Sequence, residues 1–219
     1  MRPLALAELK LEAKRYASAL SAQPIPELFG VTDGKAVGTF VEQGFQQHLR
    51  TSYTYTVGNA ASGIDLPELE VDLKVTSIKQ PQSSCPFRSA SQKVFGLGYH
   101  LLVFAYNKVD DPPSRSARLD IQHAVFIDRE CTADYQTTSG LLGILGRGGN
   151  EDDVVAFLEE RNLPLDEIGR RELAQRILAA PPRAGYLTVS NALQWRLQYG
   201  RVLTLAGSGE TPGIEDLLA

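Results

Sequence analysis

The chain lacks the features that mark zinc-binding, membrane and secreted proteins. Its two cysteines, Cys85 and Cys131, have no C-x-x-C spacing, so we expect buried thiols, no structural zinc and no required disulfide. No apolar run approaches the roughly 20 residues that cross a bilayer. Charges at Glu8 and Lys10 interrupt the N-terminus before the apolar core of a signal peptide could form. We therefore expect a cytoplasmic protein without a membrane partner.

Common catalytic signatures are missing as well. The three histidines, His48, His100 and His123, are far apart and form no H-E-x-x-H motif, which favours structural roles for them. No serine or cysteine stands in the context of a nucleophile elbow. The glycine cluster at 146–149 lacks the lysine and hydroxyl residue of a phosphate-binding loop, and it is typical of a helix terminus. A nucleotide-dependent enzyme for small molecules is therefore disfavoured.

Charge is unevenly placed along the chain. The net charge is −4 at pH 7, which argues mildly against a general binder of polyanions. Two long segments, 73–107 and 173–209, contain no acidic residue. Their basic residues include Lys74, Lys79, Arg88, Lys93, Arg176, Arg183, Arg196 and Arg201. The sequence thus permits one basic face on an acidic protein.

Hydrophobic periodicity predicts a mixture of helices and strands in a chain that is 43% hydrophobic and 22% charged. The apolar run at 99–106 and the segment 119–128 are typical of strands buried in a central sheet. Helical spacing is found at 3–20, at about 39–49, from 132 to 145, at 151–160 and at 165–179. In the C-terminal part, a strand followed by a short helix capped by Ser190 is expected. Segment 33–38 is predicted to be a turn and 79–87 an ordered loop. The predicted fold class is α/β (α+β), with a central mixed β-sheet flanked by helices.

The stretch 63–77 has the most informative pattern. Apolar and polar residues alternate strictly in its second half, so alternate side chains should face opposite sides of a strand. One face would carry Leu69, Val71, Leu73 and Val75, and the other Glu70, Asp72, Lys74 and Thr76. Hydrophobic runs on both sides in the sequence favour a central position for this strand over a free edge. With Asp65 upstream, the stretch has the form D-x6-D-x-K.

This spacing is suited to metal-assisted hydrolysis. Asp65 and Asp72 offer carboxylate oxygens that suit Mg²⁺, and the backbone carbonyl of Leu73 could add a third ligand. Lys74 could orient or polarise a water. On spacing alone, a salt-bridged surface strand is the favoured interpretation. For Glu42, at the edge of an apolar helical stripe, spacing alone likewise favours a solvated helix surface.

Two motifs in order resemble one nuclease family. Segment 65–74 resembles the D-F-x-x-L-G-V-E-L-K active-site strand of the MutH-like branch of PD-(D/E)xK nucleases, which includes a mismatch-repair nicking enzyme and GATC-cleaving restriction endonucleases. Segment 34–42 is similar to that family's G-K-x-x-G-x-x-x-E helix entry. Two departures are Ile64 in place of proline and Asp72 in place of the commoner glutamate; neither removes a ligand.

The resemblance implies roles for individual residues. Asp65, Asp72 and Glu42 would be catalytic carboxylates that serve a Mg²⁺ site, together with the carbonyl of Leu73, and Lys74 would assist the water. Charge placement adds candidate DNA contacts, which we treat as hypotheses. These are Lys79, Gln80, Gln82, Arg88, Lys93, Arg183, Tyr186, Arg196 and Arg201. For the loop residues, a solvated loop without DNA contact remains open as an alternative. For the C-terminal arginines, the open alternative is a solvated surface beside aromatic residues of the core.

The sequence therefore predicts a Mg²⁺-dependent type II restriction endonuclease that hydrolyses double-stranded DNA at a short sequence and leaves a 5′-phosphate. Alternatives are a strand-nicking mismatch-repair enzyme and a non-catalytic DNA-binding module. We expect one domain over 1–219, with a catalytic core at about 34–130, a helical and C-terminal DNA-contacting part at about 131–206 and a loose acidic tail at 207–219. The hypothesis of a restriction enzyme includes two partners. One is a second copy of the chain in a homodimer, although the sequence has no interface signature. The other is a cognate DNA methyltransferase, which is a genetic and not a physical partner.

Overall fold

The computed structural model describes residues 1–58, 63–85, 88–190 and 195–219. Its helices and strands follow one another in this order: β1 (Arg2–Pro3), α1 (Leu6–Ser21), α2 (Gly34–Arg50), β2 (Tyr53–Thr54), β3 (Val71–Ser77), β4 (Gln82–Ser84), α3 (Gln92–Phe95), β5 (His100–Asp111), β6 (Ser116–Ile127), α4 (Tyr135–Gly146), α5 (Glu151–Glu160), α6 (Glu167–Ala179), β7 (Thr188–Val189), β8 (Arg196–Gln198), α7 (Gly200–Ser208) and β9 (Ile214–Asp216).

A mixed sheet of four strands lies at the centre, in the order β3-β5-β6-β9. Strands β3 and β5 are parallel, and β6 is antiparallel to both β5 and β9. The predicted α/β class with a central mixed sheet flanked by helices is confirmed. The predicted central place of the 63–77 stretch is wrong, because β3 is an edge strand. Helix α2 packs on β3, and the turn before β3 carries Asp65 to its open edge, so that Val71, Asp72 and Leu73 are buried without a further strand.

Two hydrophobic clusters cover the two faces of the sheet. On β5, Leu102 and Phe104 join the cluster formed with α1 and α2, whereas Leu101 and Val103 join a second cluster with β7, β8 and α7. Because successive side chains of a strand point to opposite faces, this division confirms that β5 is buried on both sides. A third cluster lies among α3, α4, α5 and α6.

Helix α2 begins earlier than the sequence pattern indicates. Segment 33–38 was predicted to be a turn, but α2 starts at Gly34, and the side chain of Asp33 caps it by accepting a hydrogen bond from the Lys35 backbone N–H at 2.9 Å. The glycines are accommodated because α2 packs on β3. A Cβ on Gly38 would lie 3.9 Å from Cβ of Val75, which is an ordinary contact. The cap and this packing outweigh the low helix propensity of glycine.

The C-terminal region contains more strand than was predicted. Segment 207–219 is no loose tail, because β9 pairs with β6 and Leu217 is buried. The predicted loop 79–87 contains β4, which pairs with β8. The short helix predicted after Ser190 is wrong at 196–198, which form β8, while 191–194 lie outside the described residues. Long-range pairing decides these segments, which are too short for a local signal.

The residues predicted to be structural have structural contacts. His48 Nε2 lies 2.8 Å from Glu12 Oε2, and His123 Nδ1 lies 2.7 Å from Asp216 Oδ2. The two cysteines are buried and are not joined by a disulfide. Asn150 caps α5 as part of a capping box. Within the described residues, no helix is both long and apolar enough to span a membrane.

Candidate active site

Asp65 is brought to the open edge of β3 by a tight turn. Leu66 and Val71 exchange backbone hydrogen bonds of 2.9 and 3.2 Å, which closes the turn. Glu70, just before the strand, has the left-handed conformation at φ 52°, which is unusual for a residue other than glycine. The chain therefore folds back, and the Leu73 backbone N–H donates to Asp65 Oδ2 at 2.8 Å. The carboxylate of Asp65 thus occupies the place of a neighbouring strand.

Asp72 and Lys74 lie side by side on one face of β3. Asp72 is only 3% exposed, and Lys74 Nζ lies 2.7 Å from its Oδ2. The approach is close but lacks hydrogen-bond direction, so this buried oxygen has no directed hydrogen bond. Burial raises the pKa of Asp72 to about 7; Lys74 opposes the rise, and the nearby carboxyl of Asp65 adds to it. Asp72 therefore pays a desolvation cost that a cation beside it would relieve.

The backbone carbonyl of Leu73 points toward the same open edge. The N–H and C=O of one strand residue project to the same side of the strand, and the Leu73 N–H is directed at Asp65 and away from β5. Its carbonyl oxygen consequently faces the region between Asp65 and the open edge. This orientation suits the metal-ligand role predicted for it.

Glu42 approaches the group from α2. Its side chain is half-buried, and burial raises its pKa, with Asp65 adding to the rise and Lys74 opposing it. These influences place Glu42 in the electrostatic neighbourhood of both residues. Across residues 1–58, 63–85, 88–190 and 195–219, however, no three His, Cys, Asp or Glu side chains converge as a metal site. The arrangement is two adjoining carboxylates whose charge is offset in part by one ammonium, with a third carboxylate nearby.

The residues present suit a hard divalent cation. Asp72 Oδ2 is a buried carboxylate oxygen without a directed hydrogen bond. The groups around it offer carboxylate and carbonyl oxygens, which are the ligands that Mg²⁺ prefers. Like charges on Asp65 and Asp72 raise the cost of holding both ionised. The set Asp65, Asp72, Leu73 and Glu42 thus fits a Mg²⁺ ion.

A cleft of about 650 Å³ opens beside this group and brings three predicted DNA contacts to it. Lys74 and Glu42 reach its wall, and Gln80, Gln82 and Arg196 line it as well. Lys35 and Thr39 of α2 also line the cleft. The two acid-free segments of the sequence therefore meet at one cleft, next to the candidate catalytic residues.

Lys93 was wrongly predicted to contact DNA. Its side chain is buried, with 2% exposure of the residue, and its Nζ lies 5.3 Å from the centre of the Trp195 ring. Burial lowers the pKa of Lys93, and Asp134 opposes this change. The sequence pattern counted its charge but could not indicate that α3 turns this side chain into the protein.

The remaining predicted contacts lie outside the catalytic cleft. Lys79 and Arg88 are exposed. Arg183 and Tyr186 line a second cleft together with Asp128 and Glu130, and Arg183 forms an ion pair with Glu130. This second cleft is therefore partly acidic.

Arg201 instead packs its guanidinium over the Tyr135 ring, at 3.5 Å from the ring centre. Tyr199, for which core packing and DNA contact were both open, is fully buried and belongs to the core.

Several residues beside the site carried no sequence signal. Thr76, two residues after Lys74, is buried and exchanges hydrogen bonds with the backbone of Gln82. Tyr199 places its hydroxyl 2.6 Å from Ser83 Oγ. Alternation assigned Thr76 to the polar face of β3, but its partner, a three-residue strand, could not be recognised locally.

Comparison with known proteins identifies the family of the chain. The family model described as type II restriction enzyme NspV matches residues 3–216. Type II restriction enzyme NspV of Nostoc sp. (strain ATCC 29411 / PCC 7524) is 55% identical over 207 residues, which are 94% of this chain and 94% of that protein. No solved structure matches the chain significantly. The chain therefore belongs to the NspV family of type II restriction enzymes.

Proposed function

We propose that the protein is a Mg²⁺-dependent endonuclease that hydrolyses phosphodiester bonds of double-stranded DNA at a specific short sequence. The observation that carries this proposal is the meeting of Asp65, Asp72 and Lys74 at the open edge of one strand, with Glu42 close by. Membership of a restriction-enzyme family supports site-specific cleavage. The α2–β3 arrangement with its D-x6-D-x-K spacing supports a PD-(D/E)xK type of site.

The proposed ligands are the carboxylates of Asp65 and Asp72 and the carbonyl of Leu73, with Glu42 in support. The chemistry that a bound Mg²⁺ supplies is Lewis acidity, which makes a water more acidic and offsets charge on a phosphate oxygen. The buried negative charge of Asp72 favours transfer of the cation from bulk solvent to the site. Asp65 is held in orientation by the Leu73 backbone N–H.

Lys74 acts on the water and on the phosphate. Its side chain is 18% exposed, so its ammonium can reach the cleft while it stays beside Asp72. The water oxygen attacks phosphorus in line as the bond to the 3′ oxygen breaks, which leaves a 5′-phosphate and a 3′-hydroxyl. The ammonium orients the water and stabilises the negative charge that develops on the phosphate oxygens.

A plasmid assay tests the catalytic assignment. Wild-type protein should cut a plasmid in Mg²⁺ and not in EDTA, whereas Asp72→Ala should abolish cleavage and leave the circular-dichroism spectrum unchanged. Asp152→Ala is a matched control, because the Asp152 side chain is 84% exposed on α5. Full activity of Asp72→Ala would refute the proposed mechanism.

The same assay separates the alternatives. A restriction enzyme produces linear DNA unaided, whereas a repair enzyme would nick hemimethylated DNA and depend on a mismatch-repair partner. Binding without cleavage at any divalent metal would indicate a non-catalytic module. We also propose that residues 1–219 act as one endonuclease unit and that a gene for a DNA methyltransferase that protects the same site lies beside this gene.

A further inference from the structure

A small antiparallel sheet of three strands, in the order β4-β8-β7, borders the catalytic cleft. We use the term β4–β8 ribbon for Gln82–Ser84 and Arg196–Gln198. Gln82 is paired with Gln198, Ser83 with Leu197, and Ser84 with Arg196. Because paired residues of two strands lie on the same face and successive residues alternate, the ribbon has two chemically different faces.

The inner face fixes the ribbon to the protein core. Leu197 is fully buried in the cluster below the sheet, and Ser83 Oγ lies 2.6 Å from the buried hydroxyl of Tyr199. The Tyr199 backbone N–H donates to the Pro81 carbonyl at 2.8 Å, which holds the start of the ribbon as well. A slip of one residue would expose Leu197 and bury a glutamine or arginine, so this register is well determined.

The outer face presents a polar row toward solvent. Ser84, Arg196 and Gln198 are exposed and Gln82 is half-exposed. Gln82, Ser84 and Arg196 line the same cleft as Lys74 and Glu42. Strand β4 comes from one acid-free segment and β8 from the other, so neither strand has a carboxylate that would repel a polyanion from this face.

Thr76 couples the ribbon directly to the catalytic strand. The Gln82 backbone N–H donates to Thr76 Oγ1 at 2.9 Å, and the Thr76 hydroxyl lies 3.1 Å from the Gln82 carbonyl oxygen. Thr76 is two residues beyond Lys74 on β3. A duplex held by the ribbon would consequently be placed in a set position relative to Asp72 and Lys74.

The side chains of the outer row match the chemistry of base edges. The major groove of B-DNA admits a two-stranded β-ribbon, and β7 extends this sheet by only two residues on the far side of β8. An arginine fork pairs with O6 and N7 of guanine, and a glutamine amide with N6 and N7 of adenine. We propose, as an extension of the proposed function, that the outer row of the β4–β8 ribbon enters the major groove, with Arg196, Gln198 and Gln82 as specificity-determining residues.

A cycle of protein variants and base analogues tests this proposal. The recognition sequence is first mapped by digesting a sequenced phage DNA with wild-type protein. Oligonucleotides then carry 7-deazaguanine or 7-deazaadenine at one purine at a time, which removes the N7 acceptor from the major groove. Cleavage rates of wild type, Arg196→Ala and Gln198→Ala are measured on each duplex, with thermal unfolding as the test of folding.

The expected result is a coupling between one side chain and one base. An analogue at the guanine read by Arg196 should slow wild-type cleavage about 10- to 100-fold, the range of a lost base contact. Arg196→Ala should be slowed to a similar degree on natural DNA and not further by that analogue. Gln198→Ala should show the same insensitivity at an adenine. Arg171→Ala should keep the wild-type pattern, because Arg171 pairs with acids of α5 and α6.

Three outcomes would overturn the proposal. Equal slowing of Arg196→Ala on every duplex, with its sensitivity to the analogue retained, would indicate a phosphate contact. Wild-type rates for folded Arg196→Ala and Gln198→Ala would remove the ribbon from recognition. Failure of wild-type protein to cut any DNA in Mg²⁺ would overturn the proposed function and, with it, this extension. If Arg196→Ala does not fold, Arg196→Lys carries the test, since lysine keeps the charge but loses the bidentate fork.

Discussion

At the scale of single residues, Asp72 shows the cost of an ionised carboxylate in a buried position. Its carboxyl is buried, adjoins Asp65, and has only the ammonium of Lys74 to offset its charge. The raised pKa of Asp72, about 7, expresses this cost. The folded pKa exceeds the unfolded value, so ionised Asp72 reduces stability, and the reduction grows as the pH rises from about 4 to 7.

We therefore expect Asp72→Asn to stabilise the metal-free protein at pH 8. The gain should be about 2 kcal/mol, because a shift of one pKa unit corresponds to about 1.4 kcal/mol and Lys74 loses its partner in return. Thermal unfolding in EDTA measures it. At pH 4, where wild-type Asp72 is protonated, the difference should vanish. Mg²⁺ should raise the midpoint of wild type and not of the variant; a lower midpoint for Asp72→Asn in EDTA would contradict the expectation.

At the scale of elements, β3 combines catalysis with the placement of its neighbours. Its backbone edge holds Asp65, one face carries Asp72 and Lys74, and Thr76 holds β4. The candidate catalytic residues Asp65, Asp72 and Lys74 and the candidate recognition ribbon are thus attached to one seven-residue strand. Changes in Thr76 should consequently affect both the rate and the choice of sequence.

Thr76→Val should weaken the link between β3 and the β4–β8 ribbon. Valine keeps the shape but removes the hydroxyl, leaving the Gln82 backbone N–H without its partner, at a cost of about 1–3 kcal/mol. Cleavage should slow, and near-cognate sequences should be cut at a higher relative rate. Thr204→Val is the control, because its exposed hydroxyl only bonds within α7. Unchanged sequence discrimination in Thr76→Val would count against this coupling.

The C-terminal strand β9 should be essential for stability. Asp216 contacts His123 Nδ1 at 2.7 Å and accepts hydrogen bonds from the backbone N–H groups of Ala124 and Leu218 at 3.3 and 3.1 Å. Asp216→Ala should therefore lower the free energy of unfolding by about 2–4 kcal/mol, measured in urea. Glu215→Ala removes an exposed ion pair with Lys10 and should cost less than about 1 kcal/mol. Equal effects of the two variants would refute the assignment.

At the scale of the whole molecule, the number of catalytic groups sets how DNA can be cut. The described residues contain one group of Asp65, Asp72 and Lys74, and one such group attacks one strand at a time. Cleavage of both strands then requires two copies of the chain or two successive binding events. A symmetric pair of chains would match a site with two-fold symmetry.

We expect the protein to cut both strands as a homodimer bound to DNA. With enzyme in excess over plasmid, supercoiled DNA should pass to linear DNA with little accumulation of nicked circles. Analytical ultracentrifugation with a cognate duplex in EDTA should show two chains for each duplex. One chain for each duplex, together with a transient nicked intermediate, would instead indicate sequential cutting.

The predictable parts of the site are those encoded over short distances. Asp72 and Lys74 are two residues apart on one strand, and Asp65 lies seven residues before Asp72, so spacing and motif were sufficient to select them. Glu42 required the family resemblance, because spacing alone favours a solvated helix surface for a glutamate at the edge of an apolar stripe. Lys93 was misassigned since charge in a sequence does not reveal burial.

Local pattern thus determined the principal strands and the helices, because alternation and helical periodicity report which faces are apolar. The family resemblance of segments 34–42 and 65–74 supplied the predicted type of chemistry. The edge position of β3, the β4–β8 ribbon and the pairing of β9 depended on contacts between distant segments. Ser83 and Tyr199 are 116 residues apart, and β4, β8 and β9 have three residues each, too few for a periodic signal. Such short strands gain their stability from the partners they meet in the folded chain, so only the folded chain shows where they lie.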